Sequence, residues 1–306
     1  MGVSTGKIIE ERKNYYLVST GKNTVYESLL KGALRTRTKR LCVGDRVDIE
    51  IFDHADEKKA VIKKLHQRRN KLQKPAVSNV DLIFFVNCLE EPALDLWNMD
   101  KFLFTSSVHA IPVVLVFNKT DLLPTGGTEK LAKIQARYKN IGYSLCTASA
   151  LSGVGIEEIR ACCKKKTAVF AGPSGVGKST FMQRLFPQKS FKTNTLSAAI
   201  SRGKNTTTHT VLLPLDHESF LVDTPGFTYS EIPFTKPQKV QEHFYEIAEL
   251  SSQCKFRNCL HKNEPHCAVR TSVETGDISP DRYANYLRIC KTMENAPAAQ
   301  KYSRKN

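Results

Sequence analysis

The chain has 306 residues, 41% hydrophobic and 25% charged, the profile of a soluble globular protein with room for two or three domains. No run of about 18 apolar residues marks a transmembrane helix, and the opening MGVSTGKIIEERKNYY lacks the apolar core of a signal peptide, so a cytoplasmic protein with no membrane partner is expected. The 46 basic and 30 acidic residues leave a net charge of +16, which favours a polyanionic partner.

Residues 1–70 carry short β-type runs at Lys7–Glu10, Tyr15–Ser19, Arg46–Phe52 and Ala60–Leu65, with turn signals at Thr20-Gly21 and Val43-Gly44-Asp45. This spacing predicts a small barrel or sandwich. Two basic runs fall in or beside it: Lys31–Arg40 has five basic residues and no acid, and Lys58–Lys74 has eight and no carboxylate. Nucleic acid explains both better than a merely solvated face.

Residues 71–230 change to a βα pattern. Asp81–Leu89 is a continuous apolar run, as in a strand buried on both faces. Helix follows over Leu94–His109, strand over Pro112–Phe117, helix over Thr128–Asn140, extended chain over Tyr143–Ala148 and helix over Gly155–Cys163. Thr167–Ala171 is a strand entering a glycine-rich loop, and Lys178–Phe186 is the helix leaving it. Val211–Leu215 and Ser219–Asp223 read as a strand pair. Alternation of this kind predicts a mainly parallel sheet with helices on both faces. Residues 231–306 read as helices around a Cys/His cluster, followed by a polar tail.

The glycine-rich loop is Gly172-Pro173-Ser174-Gly175-Val176-Gly177-Lys178-Ser179-Thr180. It fits G-x-x-x-x-G-K-[ST] between a strand and a helix, the context that makes a P-loop. Its glycines let backbone N–H groups converge on phosphates, Lys178 would reach the β- and γ-phosphates, and Ser179 would ligate Mg²⁺.

Asn118-Lys119-Thr120-Asp121 follows the strand PVVLVF. The Asp121 carboxylate can accept from guanine N1–H and the 2-amino group, donors that adenine does not present there. Asn118 would hold the loop and meet the base edge, and the Lys119 stem would cover the ring. Ser149-Ala150-Leu151 follows the next strand and can offer a backbone N–H to guanine O6.

Asp223-Thr224-Pro225-Gly226 ends the strand SFLVD. Asp223 can bind Mg²⁺, and the Gly226 N–H can sense a γ-phosphate whose loss would release the loop. Between P-loop and this segment lies Arg202–His209, where Thr207, with Thr206 as its rival, would complete Mg²⁺ coordination in the triphosphate state. Lys178, Thr207, Asp223 and Gly226 form the expected catalytic set. A Gln that orients water in Ras-like enzymes has Phe227 at its place here.

Nine cysteines in a long chain without a secretory signal do not read as a disulfide framework. Cys42, Cys88, Cys146, Cys162, Cys163 and Cys290 are expected as reduced, mostly buried thiols. Cys254-x4-Cys259-x-His261-x5-Cys267 offers three thiolates and an imidazole, a donor set that suits tetrahedral Zn²⁺. His266, beside Cys267, is a competing ligand.

These motifs look like the five G-motifs of translational GTPases in a permuted order. NKTD and SAL come first, and GPSGVGKS, the threonine segment and DTPG follow. The chain resembles the RsgA (YjeQ) family of circularly permuted ribosome-assembly GTPases. The likeness covers nearly the whole chain, including L-x-x-G-D-x-V at Leu41, Gly44, Asp45 and Val47, the NVD at Asn79–Asp81, and the zinc spacing.

The resemblance implies an OB-like barrel over 1–70, a permuted P-loop GTPase domain over 71–230 and a mainly helical zinc-binding domain over 231–306. It implies a monomer that hydrolyses GTP with Mg²⁺, carries one structural Zn²⁺, and binds the small ribosomal subunit and its rRNA late in maturation, with hydrolysis stimulated there. Two other readings are a guanylate-kinase-like enzyme, because GPSGVGKST also suits that class, and an RNA-binding assembly factor that only senses GTP.

Overall fold

Alternation of apolar residues along the first strands builds a closed barrel. A computed structural model of the chain describes residues 2–21, 24–30, 40–54, 57–189, 210–227 and 231–296. The Lys31–Lys39 part of the first basic run, and the Arg202–His209 segment with Thr206 and Thr207, lie outside the described residues. The chain divides into two units, one of Met1–Pro92, Val114–Leu123 and Cys146–Thr228, the other of Ala93–Val113, Pro124–Leu145 and Tyr229–Asn306.

The barrel belongs to the first unit. Its strands are β1 (Gly2–Glu11), β2 (Tyr16–Ser19), β3 (Val25–Leu30), β4 (Arg46–His54) and β5 (Glu57–Leu65). β1 pairs with β2, β2 with β3, and β4 with β5, all antiparallel, while β3 pairs with β5 in parallel. An antiparallel β1–β4 ladder closes the ring into a five-stranded OB-like barrel. Ile8, Val18, Leu41, Val47, Ile49, Ala60 and Ile62 fill it. Nothing in the sequence marks β3, because in VYESLL only Ser28 is buried and no apolar face shows.

A polar joint follows the barrel. The wholly buried Asp45 carboxylate accepts from Arg68 Nε and Nη2, each at 2.7 Å, from Ser78 Oγ at 2.6 Å and from Cys42 N at 2.8 Å. Gly44 has φ +89° and its missing side chain would lie against the Ser78 backbone, so the turn requires glycine. Asn79 donates to Gly44 O at 3.0 Å and accepts from Arg69 N at 2.9 Å. The L-x-x-G-D-x-V and NVD segments thus form one structure. A short ribbon of β6 (Lys71–Leu72) and β7 (Val77–Ser78) lies within it.

β8 (Leu82–Asn87), β9 (Val113–Phe117), β10 (Ser144–Thr147), β11 (Thr167–Ala171), β12 (Val211–Pro214) and β13 (Phe220–Phe227) continue as a sheet in the order β10-β9-β8-β11-β13-β12. β11 runs parallel to β8 and β13, and β12 is antiparallel to β13. Every residue of β8 and β11 is buried, which explains the apolar runs 82–86 and 168–171. Helices α1 (Leu96–Val108) and α2 (Gly127–Asn140) belong to the second unit, whereas α3 (Ile156–Cys162) and α4 (Lys178–Leu185) belong to the first. Phe170 stacks on Phe181 of α4 at 5.4 Å and meets Phe84 at 5.3 Å, fixing the helix after the P-loop to the sheet.

In the second unit, α5 (Tyr245–Ser251), α6 (Ala268–Glu274) and α7 (Pro280–Glu294) pack with α1 around Phe104, Val240, Phe244, Ile247, Tyr286 and Ile289. Arg282 is 2% exposed yet satisfied, pairing with Asp100 at 2.6 Å and Glu246 at 2.5 Å above the Phe244 ring. Tyr138 and Asn285 complete Asp100 at 2.7 Å each. Removing one partner of a charge buried this fully would leave the other uncompensated. Among the described residues, no helix is long and apolar enough to cross a membrane. All nine cysteines are free; Cys42, Cys88, Cys146, Cys163 and Cys290 are buried and Cys162 is half-buried.

Candidate nucleotide site and metal centre

The P-loop, the NKTD segment and the SAL segment follow the carboxyl ends of β11, β9 and β10, and DTPG lies in the carboxyl half of β13, the side on which parallel sheets bind ligands. β11 runs into Gly172–Gly177, and α4 starts at Lys178. Gly172 has φ +135° with its open side against Val86 O, and Gly177 has φ +98° with its open side against the Asn118 amide. A side chain at Gly172 would push the P-loop off β8, and one at Gly177 would push it off the NKTD loop. Pro173, Lys178, Ser179 and Thr180 are half-buried, Ser174 and Gly175 exposed, and Val176 buried. Lys178 Nζ folds back on Gly172 O at 2.7 Å and Pro173 O at 2.6 Å, and burial lowers its ammonium to about 8.

Asn118 joins three motifs. Its Nδ2 donates to Val176 O in the P-loop at 2.7 Å, and its Oδ1 accepts from Ala150 N in the SAL loop at 2.9 Å. The amide is 4% exposed, so both bonds are shielded from water. Lys119 takes a left-handed conformation, φ 62°, and its Nζ donates to Glu91 O at 2.6 Å. Thr120 Oγ1 donates to Ala148 O at 3.0 Å, and Asp121 stands exposed in the 3₁₀ turn Thr120–Leu122. Ser149 N donates to Val154 O at 3.0 Å, so Ser149 or Ala150 would meet a base only as a shared donor.

β13 brings the DTPG segment beside the P-loop. Ala171 and Phe227 are register partners, and Gly172 N donates to Phe227 O at 2.9 Å. The Phe227 side chain is 3% exposed and lies in the core. Asp223 is half-buried; burial raises its carboxyl above the usual carboxylate range, with Lys189 opposing. Thr207, expected beside it, is outside the described residues.

Sequence reasoning missed Arg184. Its Nε donates to Ala150 O at 3.1 Å and a second nitrogen reaches Leu151 O, so the P-loop helix also braces the SAL loop. No motif marks it, because an arginine six residues beyond the P-loop lysine resembles any solvent-facing helix position.

In the second unit, the ligand atoms of Cys254, Cys259, His261 and Cys267 lie within 4.8 Å of one another. His261 Nδ1 is 3.5 Å from Cys254 Sγ and 3.4 Å from Cys267 Sγ, and those two sulfurs are 3.9 Å apart. A tetrahedral ion with bonds of about 2.3 Å to sulfur and 2.0 Å to nitrogen sets edges of about 3.5–3.8 Å. The cluster could therefore hold a metal ion. His261 Nε2 donates to Gln241 Oε1 at 2.7 Å, which turns the Nδ1 lone pair to the thiols. Burial lowers the His261 imidazolium, keeping the ring in its ligating form, and pushes the Cys259 thiol up to about 12, so thiolates there call for a cation. Tyr283 and Tyr286 hold the loop through His261 O and Leu260 O, and Glu264 accepts from Leu260 N and Lys262 N at 2.7 Å each. His266 is exposed and outside the cluster, which removes it as a competing ligand.

A P-loop after β11 and an NKTD loop after β9, joined through one amide and inverted in chain order, define a circularly permuted P-loop GTPase. The family model for the RsgA GTPase matches residues 61–233. A small ribosomal subunit biogenesis GTPase RsgA from Alkaliphilus metalliredigens is 37% identical, covering 94% of this chain and 97% of that one. Its namesake from Flavobacterium johnsoniae is 31% identical, covering 93% and 92%. Among solved structures, YjeQ from Thermotoga maritima matches with TM-score 0.81 and 29% identity, covering 97% of this chain and all of that one. YloQ, a circularly permuted GTPase, matches with TM-score 0.82 and 26% identity, covering 97% of each chain. The chain belongs to the RsgA GTPase family and is a GTP hydrolase.

Proposed function

We propose that this GTPase acts in late maturation of the small ribosomal subunit, binds its rRNA, and is stimulated by it. The names of its relatives support the particle. The net charge of +16 and the OB-like barrel support an RNA surface. The working parts are the barrel over 1–70, the GTPase domain over 71–230 and the metal-binding domain over 231–306.

In this reading the backbone of Gly172–Gly177 cradles the phosphates, with Pro173, Ser174, Gly175 and Val176 shaping the loop and Thr180 extending it. Lys178 leaves its two carbonyls for the β- and γ-phosphates. Asp121 reads guanine, Lys119 covers the ring, and Asn118 with Ser149 and Ala150 holds the reading loop. The Ser179 hydroxyl and the half-buried Asp223 carboxylate are hard oxygen donors, suited to Mg²⁺ arriving with the nucleotide, and Thr207 joins them in the triphosphate state. That ion would neutralise charge on the β- and γ-phosphates. Gly226 senses the γ-phosphate. Zn²⁺ is the metal held by Cys254, Cys259, His261 and Cys267, with a structural role.

The observation that carries the reading is the Asn118 amide, which ties the guanine-type loop to the P-loop. Because Phe227 is buried where Ras-like enzymes place a water-orienting Gln, the free protein turns over slowly and needs the subunit for speed. Cosedimentation with purified small subunits under a non-hydrolysable GTP analogue and under GDP tests this, alongside turnover with and without subunits. Stronger binding with the analogue and faster turnover with subunits are expected. Nucleotide-independent binding, or turnover that subunits leave unchanged, would overturn it.

A further inference from the structure

The barrel strand β1 reaches the strands that carry the nucleotide loops. Ile8 is wholly buried in the barrel core, so its neighbour Lys7 leaves on the other face. There the Lys7 ammonium donates to the Thr167 hydroxyl at 2.6 Å and lies 4.8 Å from the centre of the Phe220 ring. Thr167 and Phe220 are register partners and the first residues of β11 and β13. The far ends of the same two strands carry the P-loop and the DTPG segment. Asp81 braces this corner, accepting from Thr167 N at 2.8 Å and pairing with Arg69 at 2.5 Å. Glu10, three residues on, pairs with Val211, the first residue of β12. One barrel strand therefore touches β11, β13 and β12, three of the strands next to segments expected to meet nucleotide.

A lysine is a costly choice for this place. Burial lowers the Lys7 ammonium, Asp81 and Glu218 oppose that, and Arg46 and Arg69 add to it. A methionine or leucine would cover Phe220 without that cost. What the ammonium adds is a directed bond between the outer face of the barrel and the base of the P-loop strand. Strands packed as tightly as β11 and β13 shift as units, so a small displacement at one end reaches the other.

We propose that Lys7 is a positioning residue through which RNA bound on the barrel sets the rate of GTP turnover. This rests on the proposed subunit-stimulated function and names the route of that stimulation. Lys7→Met keeps the apolar stem over Phe220 and removes the donor; Thr167→Val removes the acceptor at constant shape. Turnover with and without purified small subunits is measured for both variants, their double variant and the parent. GTP affinity, subunit cosedimentation and melting temperature are measured in parallel. Stimulation should fall by about tenfold in each variant, an ordinary coupling, and the double variant should fall no further. Basal turnover, GTP affinity and subunit binding should match the parent. Parental stimulation in either variant, additive losses in the double variant, or a loss that only follows weaker subunit binding would overturn the inference. If Lys7→Met does not fold, Thr167→Val alone decides. A parent that subunits do not stimulate would overturn the functional reading as well, which separates the two failures.

Discussion

At the residue scale, Asn118 is the hub of the nucleotide loops. Asn118→Ala would leave Val176 O and Ala150 N buried and unpaired, a loss of about 1–3 kcal/mol. GTP and GDP should both bind about 10- to 100-fold more weakly in a fluorescence titration. Asp121 is exposed and tests base choice alone: Asp121→Asn should turn preference from GTP toward xanthine nucleotides, in direct competition. Lys178 gives a pH dependence. Its ammonium lies near 8 in the free protein, lowered by burial, and phosphates would raise it. Below about 8 the lysine is charged before and after binding, so affinity is full; above that, binding must take up a proton and affinity falls as pH rises. Calorimetry in buffers of different ionisation enthalpy should show that uptake. Phe227→Ala keeps the carbonyl that anchors Gly172 but empties a buried site, at about 3–5 kcal/mol. The melting temperature should drop while basal turnover per folded molecule stays near the parent. Asp121 and Lys178 can be proposed from sequence because guanine and phosphate chemistry dictates their neighbours there. Lys7 cannot be, since one lysine in a strand says nothing of the Thr167 hydroxyl 160 positions away.

At the element scale, what sequence shows depends on whether an element is read by local pattern or by distant partners. β8 and β11 announce themselves as apolar runs because both faces are covered. The P-loop is plain because strand, glycine turn and helix N-terminus are contiguous. β3 stays hidden because VYESLL buries only Ser28 and shows no apolar face, although it pairs with both β2 and β5. In the metal centre the four ligands are spelled by spacing, but Gln241, twenty positions before His261, is not. The centre also carries a test. Cys259 is 3% exposed and lies in the core of the second unit, so, with zinc as the proposed metal, Cys259→Ala should release it, measured by elemental analysis, and lower the melting temperature of that unit. GTP binding should survive, since the nucleotide loops belong to the other unit. Protein purified without chelators that holds no zinc would count against the metal assignment.

At the scale of the whole molecule, a net charge of +16 predicts that subunit binding weakens by orders of magnitude between about 50 and 200 mM salt, seen by sedimentation. Binding indifferent to salt would argue against RNA backbone as the partner. The permuted order of the loops also governs the chain as it is made. Synthesis runs from the N-terminus, and domains fold as units when they emerge. The barrel has all its strands once Leu65 is out, so it needs no nucleotide to fold. The guanine-reading loop emerges next, with its Asn118 amide aimed at a P-loop carbonyl not yet translated. Gly172 then waits for the carbonyl of Phe227. A nascent chain of this protein therefore completes the contacts of its P-loop only when the DTPG strand is out. In an unpermuted relative, the phosphate loop would come first, and nucleotide could guide the folding of everything after it.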